Sequence, residues 1–315
     1  MTSPRHAEAT ALGRYYTHPI TAESLISVTN VLSVGCAKPA LVPWAAKIVA
    51  EHSWDLLPRM AGALRAKDCG AGPKRDQACG RCRDCLTREL KGEVTVARDK
   101  ASDLGTRVHH LAEQHVLGVE VAEQEGDDVA RQYLAQYLAF LEGWGVDLEH
   151  DVEAVEVTVA NPRLGYAGTL DLIIRLPLDG FVAGQKVQPL PDGKKSLWLV
   201  DLKTSETRAA TSVYGEYALQ LAALRFASEV WLPDDTTAPM VKGITGAAVL
   251  NLRRRTFELV PLPTGKAEFD AFQGSLALSK WMHSTGHDIN GGTYRPITRT
   301  GAVKPKRGAT TRKAA

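Results

Sequence analysis

Two apolar runs in the middle of the chain, each interrupted by an aspartate, constrain its fold more than any other feature. Residues 168–174 read GTLDLII and residues 197–203 read LWLVDLK. Their length and their apolar, β-branched composition are typical of neighbouring strands inside a sheet. Residues i and i+2 of a strand share a face, so Asp201 and Lys203 are expected side by side. Val200 and Leu202 then point the other way, into the core.

The charged residues of these two strands predict a divalent metal site. Asp171 lies in the first run, and Asp201 and Lys203 lie in the second. Two carboxylates and an ammonium group that meet on adjacent strands are costly to bury without a partner. Magnesium is a suitable partner, because it binds a few carboxylates and keeps several of its waters.

Four short motifs in this part of the chain resemble those of the PD-(D/E)XK nucleases, in particular the RecB-like and CRISPR-associated exonuclease branch. They are Gly105-Thr-Arg-Val-His109, Gly168-Thr-Leu-Asp171, Asp201-Leu-Lys203-Thr-Ser205 and Tyr217-Ala-Leu-Gln220. The Asp-x-Lys motif is weak by itself, but the four motifs occur in the order and at a spacing similar to those of the family. The similarity covers about residues 100–225.

The resemblance implies a restriction-endonuclease-like core, in which helices flank a mixed central β-sheet, within an α/β fold. It also implies a metal-dependent DNA exonuclease that hydrolyses phosphodiester bonds in recombination, repair or DNA processing. In such an enzyme His109, Asp171 and Asp201, with the backbone carbonyl of Leu202, would bind magnesium or manganese. Lys203 would orient the attacking water or neutralise the transition state, and Gln220 would position the substrate.

Three further residues are candidates for supporting roles. Glu113 lies one helical turn beyond His109, and Glu156 occupies a position where similar nucleases often carry a glutamate. Glu156 either lines the site or is an edge charge. Similar nucleases usually have a tyrosine four residues after the glutamine, where this chain has Leu224, so Tyr217 either replaces that tyrosine in part or packs in the core.

Two other functions remain open at this stage. One is a site-specific or structure-specific endonuclease on the same fold, and the other is a DNA-binding or assembly protein that does not cut. The resemblance implies DNA with free ends as the partner, and it leaves open a homo-oligomer or a recombination partner protein. The overall character of the sequence is that of a phage-encoded member of the branch.

A cluster of cysteines precedes the helix that carries His109. Cys69, Cys79, Cys82 and Cys85 have the spacing C-x9-C-x2-C-x2-C. Four clustered thiolates favour a metal over disulfides in a chain without a recognisable signal peptide. Zinc is the preferred ion and a [4Fe–4S] cluster is the alternative. The basic residues nearby either contact phosphate or are solvated.

The sequence divides into four expected parts. They are an N-terminal helical segment (1–66), a small cysteine-rich metal-binding insert (67–91), the nuclease core (92–285) and a basic disordered tail (286–315). Periodicity predicts helices over 103–118, 129–143, 206–227 and 268–282, and strands over 153–159, 165–175, 197–203, 244–252 and 256–262. In the N-terminal segment a helix is expected from Pro43, with Trp44 and Trp54 packed in the core.

Composition narrows the class of protein but does not identify it. The hydrophobic fraction of 44% fits a globular protein, and the net charge of +2 does not by itself indicate nucleic acid. No apolar run is long enough to span a bilayer, so we expect no membrane partner and a cytoplasmic location in a bacterial or phage-infected cell. From Arg295 onward there are seven basic and no acidic residues, which favours non-specific attraction to nucleic acid.

Overall fold

The two apolar runs form the centre of a ten-stranded sheet in the computed structural model, which describes residues 4–70, 78–120, 124, 127–181 and 184–291. The strands are β1 (Ala7–Thr10), β2 (Gly13–Thr17), β3 (Ser24–Ser27), β4 (Val152–Asn161), β5 (Tyr166–Leu176), β6 (Ser196–Thr204), β7 (Glu229–Trp231), β8 (Thr237–Pro239), β9 (Ile244–Leu252) and β10 (Phe257–Pro261).

Strand β5 is the centre of this sheet. One of its edges pairs with β4, and β7 and β8 continue the sheet beyond β4. The other edge is divided between β6, which leads to β9 and β10, and β3, which leads to β2 and β1. The β3–β5 and β6–β9 pairs are parallel and the others are antiparallel. The mixed central sheet expected from the sequence is therefore confirmed.

Helices lie on both faces of the sheet. They are α1 (Val28–Gly35), α2 (Leu41–Asp55), α3 (Leu57–Ala63), α4 (Arg83–Val116), α5 (Asp127–Gly143), α6 (Leu148–Asp151), α7 (Gly215–Arg225), α8 (Lys266–Trp281) and α9 (His287–Asn290), with a π-helical turn at Met282–Gly286 before α9. Of the helices in the described ranges, none combines the length and the apolar content needed to cross a bilayer.

Alternate residues of the central strands face two different hydrophobic clusters. Ile173 and Leu199 pack in the cluster that contains residues of α1, α7 and α8. Leu172, Val200 and Leu202 pack in the cluster that contains residues of α4 and α5. Because both faces of the sheet are covered, its central strands are apolar along most of their length, and the fold is α/β.

The elements expected from the strongest periodicity are confirmed. Strands β4, β5 and β6 cover the predicted runs to within one residue, and β9 and β10 form the predicted antiparallel hairpin. Helices α5 and α8 begin within two residues of their expected positions. Each of these elements is a long segment with one regular hydrophobic period, which is the pattern most readily recognised in a sequence.

The helix that carries His109 is much longer than expected. It was predicted to span residues 103–118, but α4 begins at Arg83 and Asp103 lies in its interior. Residues 83–116 contain no proline, and nothing else in them forces the helix to start at Asp103. The helix therefore continues from the cysteine-rich insert into the expected nuclease core, across the boundary at residues 91 and 92.

The N-terminal segment also differs from the expectation. It was predicted to be helical, and it does contain α1, α2 and α3, but it also contributes β1, β2 and β3 to the sheet. Gly13, at a φ of 103°, makes the tight turn between the first two strands. Helix α2 begins at Leu41 instead of Pro43, and it contains no buried residue. Trp54 is 75% exposed, so its predicted place in the core is wrong.

Two expectations near the other end of the chain are corrected as well. The helix predicted from Glu206 begins only at Gly215, because side chains of β9 and the residue that follows it bind the preceding backbone in a non-helical course. The predicted tail begins with the π-helical turn and α9, so residues 286–290 are helical. Its remainder, from residue 292, lies outside the described residues.

Candidate active site

Three carboxylates stand in one row across the middle of the sheet. The register that pairs Val155 with Leu172 and Val157 with Leu170 sets Glu156 of β4 opposite Asp171 of β5. The pairing of β5 with β6 stops at Leu172 and Val200, and its register sets Asp201 next to Asp171 on the other side. The row is thus Glu156, Asp171 and Asp201, at the point where β5 and β6 part.

The separation of β5 and β6 is stabilised by a side chain instead of by the strand ladder. Asp171 Oδ2 accepts a hydrogen bond from the backbone N–H of Leu202 at 2.6 Å. A carboxylate that accepts a backbone N–H is held in a fixed orientation, and it satisfies a group that the missing ladder would leave unpaired. The hydrogen bond from Leu202, made where the pairing of β5 and β6 stops, therefore orients Asp171.

Helix α4 brings His109 against this row. His109 Nε2 lies 3.1 Å from the carbonyl oxygen of Leu202, and its Nδ1 lies 3.2 Å from Glu156 Oε1 and 3.5 Å from Asp171 Oδ1. One possible ligand atom each from His109, Glu156 and Asp171 lie within 4.8 Å of one another. Three of the residues that sequence reasoning singled out are thus in contact with His109.

Asp201 is directed toward a different set of partners. Its Oδ2 forms an ion pair with Lys203, and its Oδ1 accepts a hydrogen bond of 2.9 Å from Gln220 Nε2. The expected side-by-side arrangement of Asp201 and Lys203 is present. Asp201 was expected to share a metal with His109 and Asp171, but its carboxylate is not part of the group around His109.

The titration of these groups reflects the crowding of negative charge. Burial, followed by the Asp171 charge, raises the pKa of Glu156 to about 7. Burial lowers the pKa of His109, but the charges of Asp171 and Glu156 outweigh burial and hold it well above its ordinary value. Burial also raises the pKa of Asp201, although Lys203 opposes it. Burial raises the pKa of Asp171, but the charges of His109 and Lys203 outweigh burial and lower it. Glu156 therefore retains a proton part of the time near neutral pH, and a divalent cation would replace it.

Glu156 has a strained backbone. Its φ of 47° lies in the left-handed region, which is unusual for a non-glycine residue inside a strand. Such conformations persist where surrounding structure imposes them, often at functional sites. The sequence left open whether Glu156 lines the site or is an edge charge, and the contact with His109 shows that it lines the site. An acidic residue among alternating valines was the available signal.

The other two supporting candidates lie beside the row. Glu113 Oε2 lies 3.6 Å from His110 Nδ1 and is outside the group around His109. Tyr217 does contact the site, because the Lys203 Nζ lies 5.3 Å from the centre of its ring. Burial raises the pKa of Tyr217, so its hydroxyl stays protonated at neutral pH.

Sequence reasoning did not single out Arg253, which braces the segment after Lys203. This buried side chain donates hydrogen bonds to the carbonyl oxygens of Lys203, Arg208 and Ala209. From the interior of β9, Asn251 Nδ2 donates to Ser212 O at 3.0 Å. A run of three arginines in a predicted hairpin gave no sign that the first of them is buried. Residues 203–212 are fixed to the end of β9 by these bonds.

The four cysteines form a second cluster at the start of α4. The Sγ atom of Cys69 lies 3.6 Å from that of Cys85 and 3.7 Å from that of Cys82, and the Sγ atoms of Cys79 and Cys85 are 3.9 Å apart. Cys82 is the N-cap of α4 and Cys85 lies in its first turn. The predicted cysteine-rich site is therefore confirmed as a cluster of four sulfur atoms compatible with a bound metal.

The cluster is attached to the neighbouring helices by one arginine. Arg59 of α3 forms two hydrogen bonds, of 2.7 and 2.8 Å, with the carboxylate of Glu89 on α4, and a third with the carbonyl oxygen of Gly80. Since Gly80 lies between Cys79 and Cys82, these bonds connect the cysteine loop, α3 and α4.

A scan against protein-family models finds no match to this chain, and a search of curated proteins finds none either. The assignment of a function therefore rests on the residues, distances and charges of the two sites.

Proposed function

We propose that this chain is a metal-dependent deoxyribonuclease of the PD-(D/E)XK type, with a restriction-endonuclease-like core and exonuclease activity. One observation carries the proposal: Glu156, Asp171 and Asp201 form a row between His109 on one side and Lys203 on the other. Metal-dependent phosphodiester hydrolysis uses a bound cation and a fixed positive charge near the phosphate. The row and His109 offer ligands for the cation, and Lys203 offers the fixed charge.

The donor set fits magnesium or manganese. It offers the carboxylates of Glu156 and Asp171, the carbonyl oxygen of Leu202 and an imidazole nitrogen of His109. Hard divalent cations prefer such oxygen ligands, and manganese also accepts imidazole. We keep Asp201 in the proposed set because it stands beside Asp171 in the row. When bound, the cation would act as a Lewis acid on the phosphate and lower the pKa of a water molecule.

The remaining residues of the site have roles that follow from their contacts. Burial lowers the pKa of Lys203, but the charges of Asp201 and Asp171 outweigh it, so the ammonium group keeps its charge. A fixed cation next to the phosphate stabilises the negative charge of the transition state. Gln220 holds the carboxylate of Asp201 and thereby the position of Lys203. Glu156 would release its proton when the cation binds.

The sulfur geometry favours zinc over an iron–sulfur cluster in the cysteine-rich insert. A tetrahedral site with Zn–S bonds of about 2.3 Å has sulfur–sulfur separations of about 3.8 Å. Three of the six separations among Cys69, Cys79, Cys82 and Cys85 are 3.6 to 3.9 Å, which matches this value, and all four sulfur atoms lie within 4.8 Å of one another. In a [4Fe–4S] cluster each thiolate binds a different iron, so the sulfurs must lie farther apart. Elemental analysis should find one zinc and no iron per chain, and stoichiometric iron would overturn the assignment.

The nuclease proposal is tested by incubating the purified protein with end-labelled linear DNA and with closed circular DNA. Magnesium, manganese and EDTA are compared. We expect loss of the linear DNA with either metal, no loss in EDTA, and survival of the circle. Cutting of the circle would instead support the endonuclease, and binding without cutting under every metal would support a non-catalytic DNA-binding or assembly protein.

A matched pair of variants assigns the activity to the row. Asp171→Asn should abolish cleavage, whereas Asp151→Asn should not. Both aspartates are buried to a similar degree, with exposed side-chain fractions of 10% and 8%, but Asp151 pairs with Lys195 outside the row. Equal activity of the two variants would reject the site. Circular dichroism and thermal melting confirm that both proteins fold.

A further inference from the structure

A cavity opens directly beside Lys203. It has a volume of about 400 Å³ and lies between α7 and the segment that joins α1 to α2. Leu32, Pro39 and Leu41 provide its apolar wall. Small-molecule sites have volumes of about 300–1,000 Å³, so this cavity has room for one flat ring system with its attached groups. The metal-ligand candidates His109, Glu156 and Asp171 do not line it.

Two tyrosines form the opposite wall. The rings of Tyr214 and Tyr217 meet edge to face, with centroids 5.4 Å apart and an angle of 88° between their planes. Both rings line the cavity. Stacking on an aromatic ring is the usual way in which proteins hold a base that is not paired, and it tolerates any base because every base has a π-face.

The aromatic wall is fixed before any ligand binds. Tyr214 ends the segment that Arg253 and Asn251 bind through the carbonyl oxygens of Arg208, Ala209 and Ser212. The guanidinium of Arg208 lies 4.8 Å from the centre of the Tyr214 ring. A site whose walls are held in place loses little conformational entropy when it binds a ligand.

The charges around the cavity suit a phosphate backbone. Lys203 and the exposed Lys38 both line it, and Glu216 provides the one carboxylate among its described lining residues. Lys203 also contacts the Tyr217 ring, so a base against this ring is adjacent to the ammonium group that we assign to the phosphate. Cations beside stacking rings are the combination found in single-strand binding sites.

We infer that this cavity binds an unpaired base at the end of a single-stranded DNA segment, next to the phosphodiester that is cut. The inference rests on the proposed function, because it takes DNA as the substrate. A base pair with its two backbones does not fit a cavity of this volume, so the cavity selects single strands or the frayed end of a duplex. The active site would then receive one strand at a time.

The test measures binding in EDTA, in an Asp171→Asn background, so that no strand is cut. Two ligands of equal length and charge are compared by fluorescence anisotropy: a thymidine strand of about twelve nucleotides, and a strand of abasic tetrahydrofuran nucleotides. Tyr214→Leu, which removes the ring, should weaken binding of the thymidine strand about ten-fold and leave the abasic strand unchanged. Tyr214→Phe, which keeps the ring, should bind both strands like the parent.

Lys38→Ala is the matched control for the charge on this surface. It should weaken binding of both strands equally, because it removes a phosphate contact and no stacking partner.

Three outcomes would overturn the inference. They are equal effects of Tyr214→Leu on binding of the two strands, no effect on either, and no binding of either strand by the parent. If the wild type cleaves DNA but Tyr214→Leu weakens both strands equally, the nuclease proposal stands and base binding in the cavity is rejected. If Tyr214→Leu weakens only the thymidine strand and the wild type does not cleave DNA, base binding stands and the nuclease proposal is rejected.

Discussion

At the scale of single residues, Glu156 is a residue of the candidate site that destabilises the folded protein. Its carboxylate is largely buried near Asp171, and its backbone has a φ of 47°. Burial of the carboxylate beside Asp171 is unfavourable without a cation. Independently of any cation, a left-handed conformation costs a non-glycine residue about 1–2 kcal/mol. The left-handed conformation persists because the residues before and after Glu156 in β4 are paired with β5 and fix its position.

We therefore predict that Glu156→Gly raises the free energy of unfolding in EDTA by about 1 kcal/mol, because glycine adopts this backbone conformation without strain. The same variant should bind manganese more weakly, since it lacks a ligand. Urea unfolding measures the first effect and calorimetric titration the second. Glu153→Gly is the control on the same strand, and it should lower stability. Destabilisation by Glu156→Gly in EDTA would contradict the strain argument.

At the scale of elements, helix α4 contributes residues to both candidate metal sites, the cysteine cluster and the group around His109. Its first turn contains Cys85, and His109 lies 24 residues later, about 36 Å along the axis at 1.5 Å per residue. The helix also carries Glu89, which pairs with Arg59 of α3. A metal at the cysteines would therefore fix the start of α4 and the helices packed on it, while the sheet fixes the other end.

Removing one cysteine of the cluster should destabilise the start of α4 and the helices packed on it, and not the end of α4 that the sheet fixes. We predict that Cys85→Ser accelerates amide hydrogen exchange in α2, α3 and the first turns of α4 by at least ~10-fold, or about 1.4 kcal/mol of local stability. Exchange in β5 and β6 should change little. Cys36→Ser is the control, because Cys36 is a half-buried cysteine outside the cluster. Uniform acceleration throughout the protein would show that the cysteines stabilise the whole fold.

The contact between α4 and α5 has its own pH dependence. Arg107 Nε donates a hydrogen bond of 2.7 Å to Asp127 Oδ1 at the start of α5. The hydrogen bonding of Arg107 is the largest of the interactions that lower the pKa of Asp127 from 3.8 to about 2, and the backbone N–H of Gln124 adds to it. Because the folded state favours the ionised carboxylate, the stabilisation is complete above pH 4 and disappears as the pH falls through about 2.

We predict that Asp127→Asn lowers the free energy of unfolding by about 2 kcal/mol at pH 7, since it removes a charged hydrogen-bond acceptor. The difference from the wild type should shrink steadily below pH 4. Denaturant titrations at a series of pH values measure it. A difference that stays constant from pH 7 to pH 2 would assign the effect to packing instead of charge.

At the scale of the whole molecule, the sequence predicts the central sheet better than its edges. Strands β4, β5 and β6 are long and apolar, so a local pattern identifies them. Strand β3 has four residues and pairs with β5 through Ile26 and Tyr166, far apart in the chain. Nothing local encodes such a pairing, so the place of this segment in the sheet could not be predicted from its residues.

The same distinction applies to the candidate site. The contact of Asp201 with Lys203 follows from the period of one strand, and it is present. The direction of the Asp201 carboxylate toward Gln220 depends on α7, and the position of Glu156 depends on the register of two strands and one unusual φ. These features arise from tertiary structure, which a periodic pattern does not contain.

We assign Lys203 to the cleavage of DNA, and a comparison with Lys195 tests this assignment. Lys203→Ala and Lys195→Ala each remove a lysine that pairs with a buried aspartate, and the exposed side-chain fractions of the two lysines are 26% and 25%. The rate of cleavage of linear DNA is measured in manganese. We expect Lys203→Ala to lose about 100-fold or more and Lys195→Ala to cut like the wild type. Cleavage by Lys203→Ala at the wild-type rate would contradict the assignment of this site.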